Sequence, residues 1–204
     1  SGLLALTLNL NFGAQVDHYI TVNMRTFEKI IDAVGGIDVN IKDKETARTA
    51  DLPIGEHHLD GAQALKLARN REGGIFERAD NQNIVLCALR KKLTSPAIVT
   101  QIPELIEAFK DNIRTDFTPG QLSQLACLAT QMPPENISLV SFPGDLFKTT
   151  REFDPVFDKR VSVLAADFNI LRDYVTRFQS GMWPLPATAP LQITDEEDTP
   201  VACE

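Results

Sequence analysis

Four side chains within one short stretch, ARNREGGIFERADNQN, have the chemistry to hold a doubly charged anion: Arg69, Arg71, Arg78 and Gln82. A guanidinium offers a planar fork of N–H donors that matches phosphate oxygens in pairs, which suits a pyrophosphate better than a carboxylate. Whether the four can gather depends on the backbone. If the chain leaves its helix at Arg69, then Arg69-Asn70-Arg71 becomes extended and both guanidinium groups project to one side. In a continuing helix they would sit about 200° apart, since successive residues turn by about 100°. The Gly73-Gly74 pair just beyond favours the exit. Arg78 and Gln82 are four apart in the next helix and share a face. Both lie in its first turns, where the dipole and free backbone N–H groups favour an anion. The competing reading pairs these arginines with Glu72, Glu77 and Asp80 on a solvated face, where ion pairs are common and weak.

Other reactive residues offer less. His57-His58 are adjacent in what reads as a loop, with no third ligand at metal-binding spacing, so no metal site is expected. There is no G-x-S-x-G turn to present a serine nucleophile. Cys87 in VLCAL and Cys127 in LACLA sit in apolar helical contexts and read as small core residues. Cys203 lies near the end of the chain, and an odd count of three leaves the redox compartment open.

The flanking segments carry the periodicities of an α/β domain. SGLLALTLNLNFG reads as a helix running into a strand rather than as a signal peptide. DHYITVN (17–23) alternates like a strand. MRTFEKIIDAV places Phe27, Ile30, Ile31 and Val34 at helical spacing, and Gly35-Gly36 stops that helix before the strand IDVNI. A polar loop follows, KDKETARTADLPIGEHH, and Asp60 caps the helix GAQALKLARNR. The long amphipathic helix ERADNQNIVLCALRKKL comes next. Further helices are expected from Pro103 to about Asn112 and from Pro119 to about Gln131. ISLVSFPG (137–144) reads as a strand, and Asp154 as the cap of a last helix running toward Phe178. Residues 1–182 then form one domain and 183–204 a Pro-rich, acidic, flexible tail.

At 43% hydrophobic and 24% charged residues, 204 residues suffice for a globular core. A net charge of -8 excludes bulk binding to nucleic acid, and no basic recognition helix appears, which counts against a transcription regulator. No apolar run reaches the roughly 20 residues that span a bilayer.

Three ordered blocks resemble the LytR-CpsA-Psr family. DHYITVNMRTFEKIIDAVGGIDVNI is similar to the family's strand, helix and Gly-Gly stretch. LDGAQALKLARNR is similar to its "LDG-x-x-AL-x-x-x-R-x-R", and FERADNQNIVLCAL to its "F-x-R-x-x-RQ-x-x-hydrophobic". SFPG and the final helix resemble the end of the family domain. Any one block is weak; three in order are specific.

The resemblance implies an α/β fold with a central mixed β-sheet flanked by helices, an αβα sandwich rich in helix. It implies transfer of a glycopolymer from a polyprenyl-pyrophosphate carrier to peptidoglycan, at the extracytoplasmic face of the bacterial cell membrane. Arg69, Arg71 and Arg78 would be the catalytic, pyrophosphate-binding residues, with Gln82 and Asn81 in the same pocket. Ile84, Val85 and Leu89 would line a lipid groove, though the same stripe suits ordinary core packing. The family uses Mg2+, its ligands expected in N-terminal blocks that this chain does not show, together with a membrane helix. Asn81 stands where the family motif has its second arginine, a loss of one charge-assisted contact. The chain is thus expected to be either a fragment or a degenerate relative. The alternative function is a non-catalytic module that binds polyprenyl phosphates or wall polymers.

Overall fold

The structure is a computed structural model that describes residues 2–42, 44–72, 75–132, 138–183 and 201–202. The chain divides into two compact units, one of Ser1–Asp17 with Phe142–Thr199, the other of His18–Ser141 with Pro200–Glu204.

The second unit holds the segments singled out above. It runs β1 (Ile20–Val22), α2 (Met24–Ala33), β2 (Ile37–Ile41), α3 (Lys44–Ala50), β3 (Gly55–Leu59), α4 (Gly61–Arg69) and α5 (Ile75–Leu93). It continues through α6 (Pro96–Val99), α7 (Ile102–Phe109), β4 (Ile113–Thr115), α8 (Pro119–Gln131) and β5 (Ser138–Leu139). The first unit contributes α1 (Gly2–Phe12), β6 (Lys148–Asp154), β7 (Lys159–Ala165) and α9 (Phe168–Gln179), while β8 (Val201–Ala202) belongs to the second. The fold is α/β and helix-rich. Its described strands form four two-stranded antiparallel ladders: β1 with β4, β2 with β3, β5 with β8 and β6 with β7.

Local signals explain the helix ends. Asn23 accepts from the Thr26 N–H to start α2. Gly35 and Gly36 stop α2 at φ 77° and 80°, a left-handed conformation that costs little without a Cβ. Asp60 and Gln63 form a reciprocal capping box on α4, and Thr118 and Gln121 form another on α8.

The core of the second unit forms around the β2–β3 ladder. β2 buries alternate residues, so Ile37, Val39 and Ile41 join Ile31, Leu59, Ala64, Leu67, Val85 and Ala88. Fully burying one such aliphatic side chain stabilises by about 1.5–3 kcal/mol. The first unit clusters rings instead. Phe12 packs on Phe142 and Phe168, and Tyr174 stands edge-on to Trp183. Arg172 donates to the carbonyls of Leu10 and Asn11, tying α9 to the end of α1.

Several expectations need correction. The stretch read as a polar loop before Leu59 contains α3 and β3. The strand forms because its N–H and C=O groups pair with β2, from Ile37↔Leu59 to Ile41↔Gly55. His57 and His58 are therefore strand residues. Asp154 does not cap the last helix; Asp167 does, accepting from the Asn169 N–H, and a β6–β7 hairpin precedes it. The strand of ISLVSFPG shortens to Ser138–Leu139. Of the tail expected from residue 183, Val201–Ala202 form β8 on β5, while 184–200 lie outside the described residues. Neither helical cysteine is an inert core residue: Cys87 is in a disulfide, and Cys127 is a free, exposed thiol. Cys203 lies outside the described residues.

Candidate functional site

The chain does leave its helix at Arg69. α4 ends there, and Asn70 has φ -59° and ψ 137°, an extended conformation. The Asn70 side chain then accepts from the Glu72 N–H at 2.9 Å, which holds the exit on either side of Arg71. Gly73 and Gly74 lie outside the described residues. α5 begins at Ile75, so Arg78 falls at its fourth position, within reach of the positive end of the dipole. α4 and α5 pack against each other.

Arg69 and Arg71 are exposed and Arg78 is half-buried. Among the described residues, none of the three guanidinium groups is in an ion pair. Lys66, one turn before Arg69, behaves differently. It donates to Asp51 at 2.7 Å, which lowers the Asp51 carboxyl below its ordinary pKa and raises the Lys66 ammonium.

Gln82 is exposed, and its side-chain amide donates to the Ala68 carbonyl at 3.2 Å. That donor is thus engaged in joining the two helices. Asn81 is only 1% exposed, and its Nδ2 has no hydrogen-bond partner. A buried amide nitrogen without a partner costs free energy. Val85 sits inside the core, with Ile84 and Leu89 packed against it. These three fill space between helix and sheet in the described arrangement.

The "LDG" glycine has a positional reason the sequence did not reveal. A Cβ on Gly61 would run into the backbone of Glu28 in α2, and the Gly61 N–H donates to Asp32 at 2.7 Å. Only a residue without a side chain lets α4 approach α2 so closely. His58 lies beside Asp38 at 2.6 Å across the β2–β3 ladder. At the opposite end of α5 from Arg78, a cleft of about 250 Å³ is lined by Asp38, Ala88, Lys91, Lys92 and Ser95.

Among the described residues, no three of His, Cys, Asp and Glu come together as a metal site. Among them, too, no helix is long and apolar enough to cross a membrane.

The sequence model of the LytR_cpsA_psr family matches residues 2–164. One similar protein is named polyisoprenyl-teichoic acid–peptidoglycan teichoic acid transferase TagU, from Bacillus mycoides (strain KBAB4). It is 33% identical over 138 residues, which are 64% of this chain and 43% of the relative. The corresponding TagV of Bacillus subtilis (strain 168) is 29% identical over 154 residues, 69% of this chain and 39% of the relative. The chain thus spans about two fifths of the length of these relatives. The crystal structure of B. subtilis TagV superposes with a TM-score of 0.66 at 24% identity, covering 87% of this chain and 68% of that one. TagT bound to LIIa-WTA superposes with a TM-score of 0.64 at 18% identity, covering 88% and 67%. At such identities the superpositions establish a shared fold.

Proposed function

The chain belongs to the LytR_cpsA_psr family, and we propose that it forms part of an envelope enzyme that transfers a glycopolymer from a polyprenyl-pyrophosphate carrier to a peptidoglycan hydroxyl. Relatives named as polyisoprenyl-teichoic acid–peptidoglycan teichoic acid transferases support this reading, as does a fold-mate bound to LIIa-WTA. Such chemistry belongs at the extracytoplasmic face of the membrane, where lipid carrier and wall meet.

One observation carries the assignment of residues: Arg69, Arg71 and Arg78 leave α4 and enter α5 with no carboxylate partner among the described residues. Arginines with no counter-ion among the described residues keep their attraction for an external anion. As the carrier bond breaks, negative charge grows on the departing lipid phosphate. Guanidinium groups already in place stabilise that charge without reorganising solvent. Arg69 lies at the end of α4, Arg71 in the exit after it and Arg78 in the first turn of α5, so in this reading two elements supply the three cations. Gln82 ties the elements together and acts as a positioning residue. Mg2+, when bound, would neutralise part of the pyrophosphate charge.

A second reading, a non-catalytic module for polyprenyl phosphates or wall polymers, draws on Asn81. A neutral, buried amide stands where the family motif carries an arginine, which weakens charge stabilisation while leaving a donor for binding.

The deciding measurement is polymer transfer from a lipid pyrophosphate by the protein that carries this chain. Arg69→Ala and Arg78→Ala should each lower turnover by about 10- to 100-fold, the value of one charge-assisted contact. Undiminished turnover in both removes the assigned roles. Thermal shift with a soluble prenyl pyrophosphate, with and without Mg2+, separates the two readings: binding indifferent to the metal favours the module.

A further inference from the structure

The β6–β7 hairpin carries chemistry that the transfer reading leaves unused. Its register sets Thr149 opposite Leu164, Arg151 opposite Ser162 and Phe153 opposite Arg160. Cross-strand partners and alternate residues share a face of a ladder. One face therefore bears Arg151, Phe153, Arg160 and Leu164, and no acid. Glu152 and Asp154 fall on the other face, beside the half-buried Val161 and Val163.

The turn continues the exposed pattern. Val156 is 84% exposed, Phe157 66% and Phe153 57%. They are held there by the backbone. Asp154 accepts from the N–H groups of Val156 at 2.8 Å and Phe157 at 3.2 Å, and Asp158 closes the turn at φ 49°. Asp154 keeps its negative charge, but it lies with its cross-strand neighbour Lys159 on the face away from Arg151 and Arg160. Lys159 lies 5.5 Å from the Phe157 ring centre. In a chain of net charge -8, Arg151, Lys159 and Arg160 form no ion pair among the described residues.

We propose that this hairpin docks on an anionic membrane surface. Val156 and Phe157 enter the headgroup boundary, while Arg151 and Arg160 on the acid-free face meet lipid phosphates. Apolar side chains at a rigid tip, with cations set behind them, are the combination an interface rewards. The rings of Phe153 and Phe157 can stack on sugar as well, but Val156, the most exposed of the set, gains only from an apolar surrounding, which a lipid interface supplies and a soluble glycopolymer does not. This inference stands without the transfer reading, since the surface is tested with no substrate present.

The test is partition of the full chain onto vesicles of phosphatidylglycerol mixed with phosphatidylcholine, and onto phosphatidylcholine alone. Binding to the mixed vesicles should fall with added salt and be weak on the neutral ones. The double variant Val156→Asp/Phe157→Asp should lose at least about tenfold in partition, and Arg151→Glu/Arg160→Glu a comparable amount. All four positions are exposed, so unchanged circular dichroism confirms that these variants fold. Phe157→Trp should shift its emission to the blue when mixed vesicles are added. Equal partition of wild type and both double variants overturns the proposal, as does an unshifted Trp signal. Complete displacement by a soluble anionic glycopolymer assigns the face to polymer and overturns it as well. Loss of transfer in the Arg69 and Arg78 variants has no bearing on this result.

Discussion

The side-chain amide of Gln82 donates to the carbonyl oxygen of Ala68, so the helix that carries Arg78 is fastened to the last turn of the helix that ends in Arg69. Carbonyls in a final helical turn have no partner inside their own helix, and this one is satisfied from the neighbour. Gln82→Ala should lower stability by about 0.5–1.5 kcal/mol. Affinity for a soluble prenyl pyrophosphate should fall with it, because the two arginine-bearing elements lose their tie. Urea unfolding and ligand titration on the same variant check both parts. A stability loss with unchanged affinity would confine Gln82 to a structural role.

Gly61 makes a stronger prediction. Its missing Cβ is what permits α4 to lie against the Glu28 backbone. Gly61→Ala forces rigid backbone apart, and overpacking of this kind costs about 1–3 kcal/mol. Gly35→Ala is the useful contrast, since no atom crowds that site and the strain comes from its positive φ alone. Thermal unfolding of the two variants should separate crowding from backbone strain.

Asn81 should show stability and function moving in opposite directions. Replacing a buried, unpartnered amide with an isosteric apolar residue removes a desolvation penalty of about 1–3 kcal/mol. Asn81→Leu is therefore expected to melt higher than wild type while binding a prenyl pyrophosphate more weakly. A variant that melts higher and binds equally well would exclude Asn81 from the pocket.

Acid should loosen the β1–β4 ladder. The Asp116 carboxyl accepts from the Tyr19 N–H and lies 3.0 Å from His18. The Tyr19 hydrogen bond, and then His18, hold its pKa below the ordinary 3.8. A depressed carboxylate contributes stability that is complete above its unfolded pKa and disappears as pH falls through the folded one. The contribution is therefore intact above about pH 5 and fades below about pH 4. Melting midpoints of wild type and Asp116→Ala should differ at neutral pH and converge in acid; a constant gap would refute the assignment.

Cysteine chemistry gives a simple test. Among the described residues Cys87 is in a disulfide and Cys127 is free, so Cys127→Ser should remove a fast-reacting thiol from the native chain. Reduction should lower the melting temperature, since removing a native disulfide typically costs about 2–5 kcal/mol. Cys127→Ser should leave it unchanged.

The features legible from local pattern alone lie within a few residues of the signal that marks them. Asp60 with Gln63 and Thr118 with Gln121 bond within three residues, so the starts of α4 and α8 were legible without knowledge of the fold. The exit at Arg69 and the left-handed glycines after α2 were legible for the same reason. The tertiary structure decided everything that depends on a distant partner. β3 exists because β2 lies beside it, and a sequence rich in charge and histidine showed no strand periodicity of its own. Asp154 was ambiguous in principle, because a helix cap and a tight turn use the same carboxylate to accept N–H groups two or three residues on. Only the pairing of β6 with β7 chose the turn. Likewise the burial of Asn81 and the crowding at Gly61 arise where separate elements meet, and no local pattern encodes which residues a neighbour will cover.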